Sequence, residues 1–245
     1  MEVPKSHPRY ISLKTRDKIV SGVENGITSI HGLIAHGRGE AFDYLIGEKT
    51  QKFALDAIDA AACLLLLAKR PVISVNGNAA ALVPKELVEL SRAVPAKLEV
   101  NIFHKSNKRE LAIALHLKKY GAKEVLLPHK GVIMYIEHNR KYCNEDGISK
   151  ADVVFVPLED GDRCLALRKM GKKVIAVDLN PLSRTAKSAS ITIVDNIIRA
   201  VPLLTKSIKK HKSIKNKSIL KNKIKKYNNK KMLKEALKDI SKGLS

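Results

Sequence analysis

Six short polar strings in this chain carry the residue types that hold phosphorylated ligands. Asn76-Gly77-Asn78, Glu159-Asp160-Gly161-Asp162-Arg163, Asp178-Leu179-Asn180 and Asp195-Asn196 offer carboxylates, amides and backbone N–H groups. An ionised carboxylate only accepts hydrogen bonds while an amide donates and accepts, so Asp178 and Asn180 suit ribose hydroxyls or an adenine edge. Arg184 and Thr185, just after Pro181 and Ser183, add a guanidinium fork and a hydroxyl for phosphate oxygens. His36-Gly37-Arg38-Gly39-Glu40 sets an imidazole and a guanidinium among glycines that allow close backbone approach, and reads as a break between helices and an anion clamp. Each string also has an ordinary structural reading. Asn-Gly and Asp-Gly pairs form turns, and a polar residue after a strand caps the next helix.

Several chemistries are excluded by what the spacing lacks. No G-x-x-x-x-G-K-[ST] phosphate loop is present, and the Gly37–Gly39 string misses the third glycine and preceding strand of a dinucleotide fingerprint. An NAD-dependent dehydrogenase is therefore a weaker reading than a nucleotide enzyme with another phosphate cradle. His104, His116, His129 and His138 form no metal-ligand pattern and read as structural or surface residues. Ser74 and Ser183 lack a nucleophile-elbow context, so covalent catalysis is not expected.

The elements that must position these strings follow from periodicity. Apolar residues at helix spacing fill most of residues 1–70, with Thr50 expected to cap a long helix that Pro71 stops. Beyond Pro71, β-branched runs at 72–75, 98–103, 124–127, 153–156, 174–177 and 191–194 alternate with helical stretches at 84–93, 106–120, 162–170 and 196–206. That alternation predicts an α/β fold: a Rossmann-like parallel sheet with helices on both faces, preceded by a helical N-terminal region. In such a sheet ligands bind beyond the carboxyl ends of the strands, where four of the six strings fall. Residues 128–150 read only as a loop or flap.

Composition bounds the rest. The chain has 245 residues, 44% of them apolar, enough for a full core. Cys63, Cys143 and Cys164 have no C-x-x-C spacing, which points to a reducing compartment, and no segment reads as a signal peptide or membrane span. A cytoplasmic protein without a membrane partner is expected. The formal charge is +22, but residues 206–245 hold fifteen lysines against Glu235 and Asp239, so +13 of it sits there and +9 elsewhere. Three parts are expected: 1–70 packed on the main domain, the α/β domain at 71–205, and a lysine-rich tail at 206–245, disordered or loosely helical. Leu233, Leu237, Ile240 and Leu244 make one amphipathic stripe in that tail. Nucleic-acid binding through the tail is the rival function, and it leaves the loop strings unexplained.

Longer strings go further. PKSHPRY at 4–10, GLIAHGRGEAFDYLIGE at 32–48, ISVNGNAAALVPKE at 73–86, VPLEDGDR at 156–163, VDLNPLSRTA at 177–186 and ITIVDNI at 191–197 closely resemble the archaeal phosphopantothenate synthetases, or 4-phosphopantoate–β-alanine ligases. The likeness covers about residues 3–205. It implies a homodimer that uses ATP with Mg²⁺, 4-phosphopantoate and β-alanine. By residue-to-residue matching it implies a nucleotide site of Arg16, Arg38, Asp178, Leu179, Asn180, Arg184, Thr185, Asn196 and Ile197. In that family AMP is transferred to the acid's carboxylate with loss of pyrophosphate, and the amine of β-alanine then displaces AMP. Such chemistry needs no protein nucleophile, only positioning and positive charge. Arg38 is expected to serve catalysis as well, with Asp160 and Asp162 for metal or amine contacts; the metal ligands themselves stay unassigned.

Overall fold

A computed structural model describes residues 3–242. Three helices come first: α1 (Tyr10–Glu24), α2 (Ile30–Leu45) and α3 (Lys52–Leu67). Pro71 cannot extend a helix and instead opens β1 (Pro71–Val75). The remaining elements are α4 (Gly77–Leu82), α5 (Pro84–Ala93), β2 (Lys97–Val100), α6 (Asn107–Lys119), β3 (Lys130–Val132), β4 (Tyr142–Asn144), β5 (Val153–Pro157), α7 (Gly161–Lys169), β6 (Lys173–Val177), α8 (Arg184–Ser188), β7 (Ile191–Ile193), α9 (Ile197–His211), α10 (Lys217–Lys226) and α11 (Asn229–Lys242).

The main sheet is parallel, in the order β2-β1-β5-β6-β7. Counting only its own strands in chain order this is 2-1-3-4-5, a doubly wound sheet whose direction of travel reverses between β1 and β5. Alternation along the strands divides the core in two. Ile73, Val75, Phe155, Ile175 and Val177 join one cluster with α3, α5 and α9 residues, while Val72, Val154, Val156, Val174 and Ala176 join another with α7 and residues near β3 and β4. Cover on both faces is why these strands read as unbroken apolar runs.

Four sequence expectations change. Residues 124–127 touch the sheet only through the Glu99–Leu126 bridge, so they form no strand, and Pro128, which has no N–H, follows. The strand expected at 98–103 ends at Val100, after which the Asn101 side chain turns to Arg140 and Tyr142. Thr50 does not cap α3: Gln51 holds the N-cap position without a capping side-chain bond, and the Thr50 hydroxyl donates to Asp195 at 2.7 Å. The string 36–39 does not break the helix but lies within α2. Gly32 of this helix serves close packing, since a Cβ there would collide with Oδ1 of Asn78 in α4, whereas nothing crowds Gly37.

The tail is ordered as well. α9 continues past residue 206 to His211, and α10 and α11 pack on α3. Leu220, Met232, Leu233 and Ala236 are buried, and Leu237 and Ile240 half-buried; Leu244 lies outside the described residues. Burial of this one face, rather than helix propensity, holds so lysine-rich a segment in place. Asp59 of α3 fastens it, pairing with His211 and accepting a 2.7 Å hydrogen bond from Lys223 Nζ. Asn229 Nδ2 donates to Ala186 O at 2.9 Å, and its Oδ1 accepts from the Thr192 N–H at 2.7 Å, which covers the edge strand β7.

Candidate nucleotide and anion site

The carboxyl edge of the sheet opens on a cleft of about 620 Å³ at the point where the strand order reverses. Asn76 braces that point. Its Oδ1 accepts from the Ala79 N–H at 2.9 Å, capping α4, while Nδ2 donates to the Pro157 and Leu158 carbonyls, both at 2.9 Å. Asn78 ties the same loop to α2: its Oδ1 accepts from the Thr28 hydroxyl at 2.5 Å and its Nδ2 donates to Gly32 O at 2.9 Å. For these two amides the structural reading prevails, since they build the floor.

The loop after β6 is braced from within. Asp178 accepts from the Ser183 hydroxyl at 2.5 Å and from the Asn180 N–H at 3.0 Å, and Ser183 in turn caps α8. Burial raises the pKa of Asp178, partly offset by those hydrogen bonds and the Arg38 charge. At the next strand end Asn196 caps α9, accepting from the Ile198 N–H at 3.2 Å, and donates to Asp43 at 2.7 Å. Arg199 bridges Asp43 and Asp195, fixing α2 against α9. A helix N-terminus facing a cleft favours anions.

Nine of the eleven residues singled out from sequence line this cleft: Arg38, Asp160, Asp178, Leu179, Asn180, Arg184, Thr185, Asn196 and Ile197. Arg16 and Asp162 do not. Arg16 Nε bonds both Glu40 oxygens, at 3.0 and 2.9 Å, and it is Glu40 that lines the cleft. Burial pushes the Glu40 carboxyl up, yet hydrogen bonds from Arg16 and Ser12 and the Arg16 and Arg9 charges outweigh it, leaving its pKa below the usual value. Asp162 sits at the exposed rim, ion-paired to Arg184. Gly161 permits that crossing, because a Cβ there would strike Cβ of Arg184.

Two lining residues had no signal in the sequence. Arg140 comes from the segment that read as a loop; buried, it pairs with Glu159 and Asp160, the latter at 2.5 Å, and donates from Nε to Asn101 at 2.9 Å. Glu159 also pairs with the fully buried Arg163, which reaches Ser74 at 3.1 Å. Arg109, in the first turn of α6, has only helix-surface spacing to mark it. His36 and His104 also line the cleft, and burial lowers the pKa of His36.

The ion pairs sort the cleft's four guanidiniums. Arg140 and Arg184 are neutralised by protein carboxylates, whereas no described residue hydrogen-bonds or ion-pairs with the side chains of Arg38 and Arg109. Those two are the groups left for ligand anions. A divalent ion has less provision: Glu159 is committed to two arginines, Asp178 to its own loop, and Asp160 is the lining carboxylate with most exposure, 41%. Asp160 thus fits as one ligand of an ion that arrives on phosphates. Among the described residues, one three-residue group of metal-binding types converges, Asp59, Cys63 and His211, outside the cleft lining.

Along almost its whole length the chain is similar to known proteins. A 4-phosphopantoate–β-alanine ligase of Thermococcus onnurineus is 54% identical over 243 residues, 98% of this chain and 92% of the relative. The enzyme of that name in Methanosarcina mazei is 50% identical over 243 residues, 99% and 96% of the two chains, and that of Methanospirillum hungatei 54% over 201 residues, 81% and 82%. The sequence profile for phosphopantothenate/pantothenate synthetase matches residues 53–243, so the likeness extends past residue 205 through the docked tail helices. With more than half its length matched by the profile and relatives this similar along it, the chain belongs to the phosphopantothenate/pantothenate synthetase family.

Proposed function

We propose that this protein is an ATP-dependent, AMP-forming ligase that condenses 4-phosphopantoate with β-alanine, giving 4′-phosphopantothenate on the way to coenzyme A. The relatives' names supply the substrates. The observation that carries the reading is the pair of guanidiniums, Arg38 and Arg109, that no described residue hydrogen-bonds or ion-pairs, in a cleft where Arg140 and Arg184 are already paired with carboxylates. Two phosphorylated substrates would bring the anions they lack.

In this reading Asp178, Leu179 and Asn180 hold the nucleoside, and Arg184, Thr185, Asn196 and Ile197 follow the phosphates past the N-terminus of α9. Arg16 acts through Glu40, and Asp162 through Arg184. A carboxylate oxygen of 4-phosphopantoate attacks the α-phosphorus and pyrophosphate leaves; the β-alanine nitrogen then attacks the acyl carbon and AMP leaves. Arg38 stabilises the negative charge gathered at phosphorus, a stabilisation most effective when the donor is already in place. Mg²⁺, carried on the triphosphate and reached by Asp160, would supply further charge neutralisation.

The reading includes a homodimer in the cytoplasm. Supporting the dimer, Ile30 and Ile34, one turn apart on α2, are 68% and 70% exposed, an apolar stripe suited to a second copy. Three free cysteines suit a reducing compartment, and no helix among the described residues is long and apolar enough to cross a membrane. The test is direct. Purified protein given ATP, 4-phosphopantoate and β-alanine is expected to form 4′-phosphopantothenate, identified by mass; no product, with the fold intact, refutes the assignment.

A further inference from the structure

Beside the cleft lies a second cavity, of about 460 Å³, bounded by residues 101–110 and by the antiparallel β3–β4 ribbon. The two share a wall. Ile102 lines both, and Asn101 of the second cavity holds Arg140 of the first. Glu110 lines the second cavity from the first turn of α6. It is only 9% exposed, and no described donor hydrogen-bonds or ion-pairs with its carboxylate. Burial raises its pKa, and the charge of Lys105 draws it part of the way back. Its oxygens open on the cavity, and a cation seated there would offset the burial that disfavours the charged form.

The same cavity carries positive charge on exposed residues. Lys105 Nζ stands 5.3 Å from the Tyr142 ring centroid, and Lys130 lines the ribbon side with its backbone in the left-handed region, φ 55°. A buried negative pole faced by exposed cations is the complement of a short zwitterion.

We propose that this cavity binds the amino-acid substrate, with Glu110 taking the ammonium group and Lys105 and Lys130 the carboxylate. The assignment rests on the ligase reading above, and gives the second substrate its own entry. The Ile102 wall sets the amine beside the cleft in which the acid is activated. Requiring both poles selects a small amino acid over a plain amine or a plain acid.

The assignment is tested by separating the two half-reactions. Glu110→Gln keeps the shape of the side chain and removes the charge. It is expected to raise KM for β-alanine about tenfold to a hundredfold while leaving the 4-phosphopantoate-dependent exchange of pyrophosphate into ATP unchanged. The double variant Lys105→Ala/Lys130→Ala alters exposed side chains, so folding is not in question, and the same split is expected. An unchanged KM for β-alanine in the double variant overturns the assignment, even if Glu110→Gln fails to fold. So does a loss in the exchange reaction, which would assign the lysines to the acid's phosphate. No exchange in the unaltered enzyme would instead strike the ligase reading, and the β-alanine assignment would fall with it.

Discussion

The two sides of α3 and the sheet solve opposite problems. At the carboxyl edge, charges are held in place but not all matched: Glu159 and Asp160 take Arg140, Asp162 takes Arg184, and Arg38 and Arg109 have no described partner. On α3, where α9, α10 and α11 dock, Asp59 pairs with His211 and Lys223 above buried Leu220, Met232 and Leu233, and the remaining lysines stay in solvent. The first region holds unmatched charge where a ligand can reach it. The second uses charge as a clasp on an apolar contact. Positive charge in this protein is thus informative by whether a carboxylate answers it, not by its density along the chain.

Mutations should separate the regions sharply. Arg140→Ala should cost most, because it leaves buried Glu159 with Arg163 as its remaining cation and takes the partners from the Asn101 side chain and carbonyl: about 3–5 kcal/mol of stability is expected from breaking a buried pair. Denaturant unfolding measures it, and an unshifted midpoint would deny Arg140 its bracing role. Next comes Glu99, buried under two backbone donors, the Asn144 N–H at 2.8 Å and the Ile148 N–H at 2.6 Å. Burial raises its pKa to about 7 despite them. A carboxyl raised from about 4.3 in the unfolded chain contributes stability that is full below that value and lost as pH rises through about 7. Wild type should therefore lose about 3–4 kcal/mol relative to Glu99→Gln between pH 4 and pH 8. A difference independent of pH would show that Glu99 does not titrate in this range.

Smaller effects should sharpen the contrast. Arg38→Ala and Arg109→Ala should each lower kcat/KM about ten- to a hundredfold, the worth of a charge-assisted hydrogen bond, with thermal stability unchanged. Equal falls in activity and stability would mean these arginines support the fold instead. At the clasp, Lys223→Ala should cost under about 1 kcal/mol, since the pair is partly exposed. Deleting residues 213–245 should lower the melting temperature, because it uncovers the α3 face that Leu220, Met232 and Leu233 bury and removes Asn229 from α8, while the rate of the protein that stays folded should hold within about twofold. A large rate loss in a folded truncation would join the two regions that this comparison separates.

Much of this was legible in the sequence, for definable reasons. β-branched runs alternating with helices announced the parallel sheet, and the carboxyl ends of its strands pointed to the cleft, so the loops that start at Asp178 and Asp195 could be chosen as candidate ligand contacts. Arg140 was hidden because its importance comes from Asn101 and Glu159, partners 39 and 19 residues away that no local pattern connects. Arg16, expected in the nucleotide site from the family likeness, does not line the cleft; it ion-pairs with Glu40, which does, and no local pattern links residues 24 apart. The tail looked disordered because its composition is polar; its order comes from tertiary burial on α3, which composition does not report. Thr50 had the residue type of a cap, yet Asp195, far along the chain, claims its hydroxyl.

The most direct test of the central claim follows labelled pyrophosphate in the absence of β-alanine. If the cleft activates 4-phosphopantoate by attack at the α-phosphorus, label should enter ATP when 4-phosphopantoate is present and not when it is omitted. Absence of exchange, together with ADP and phosphate as the stoichiometric products of full turnover, would contradict it.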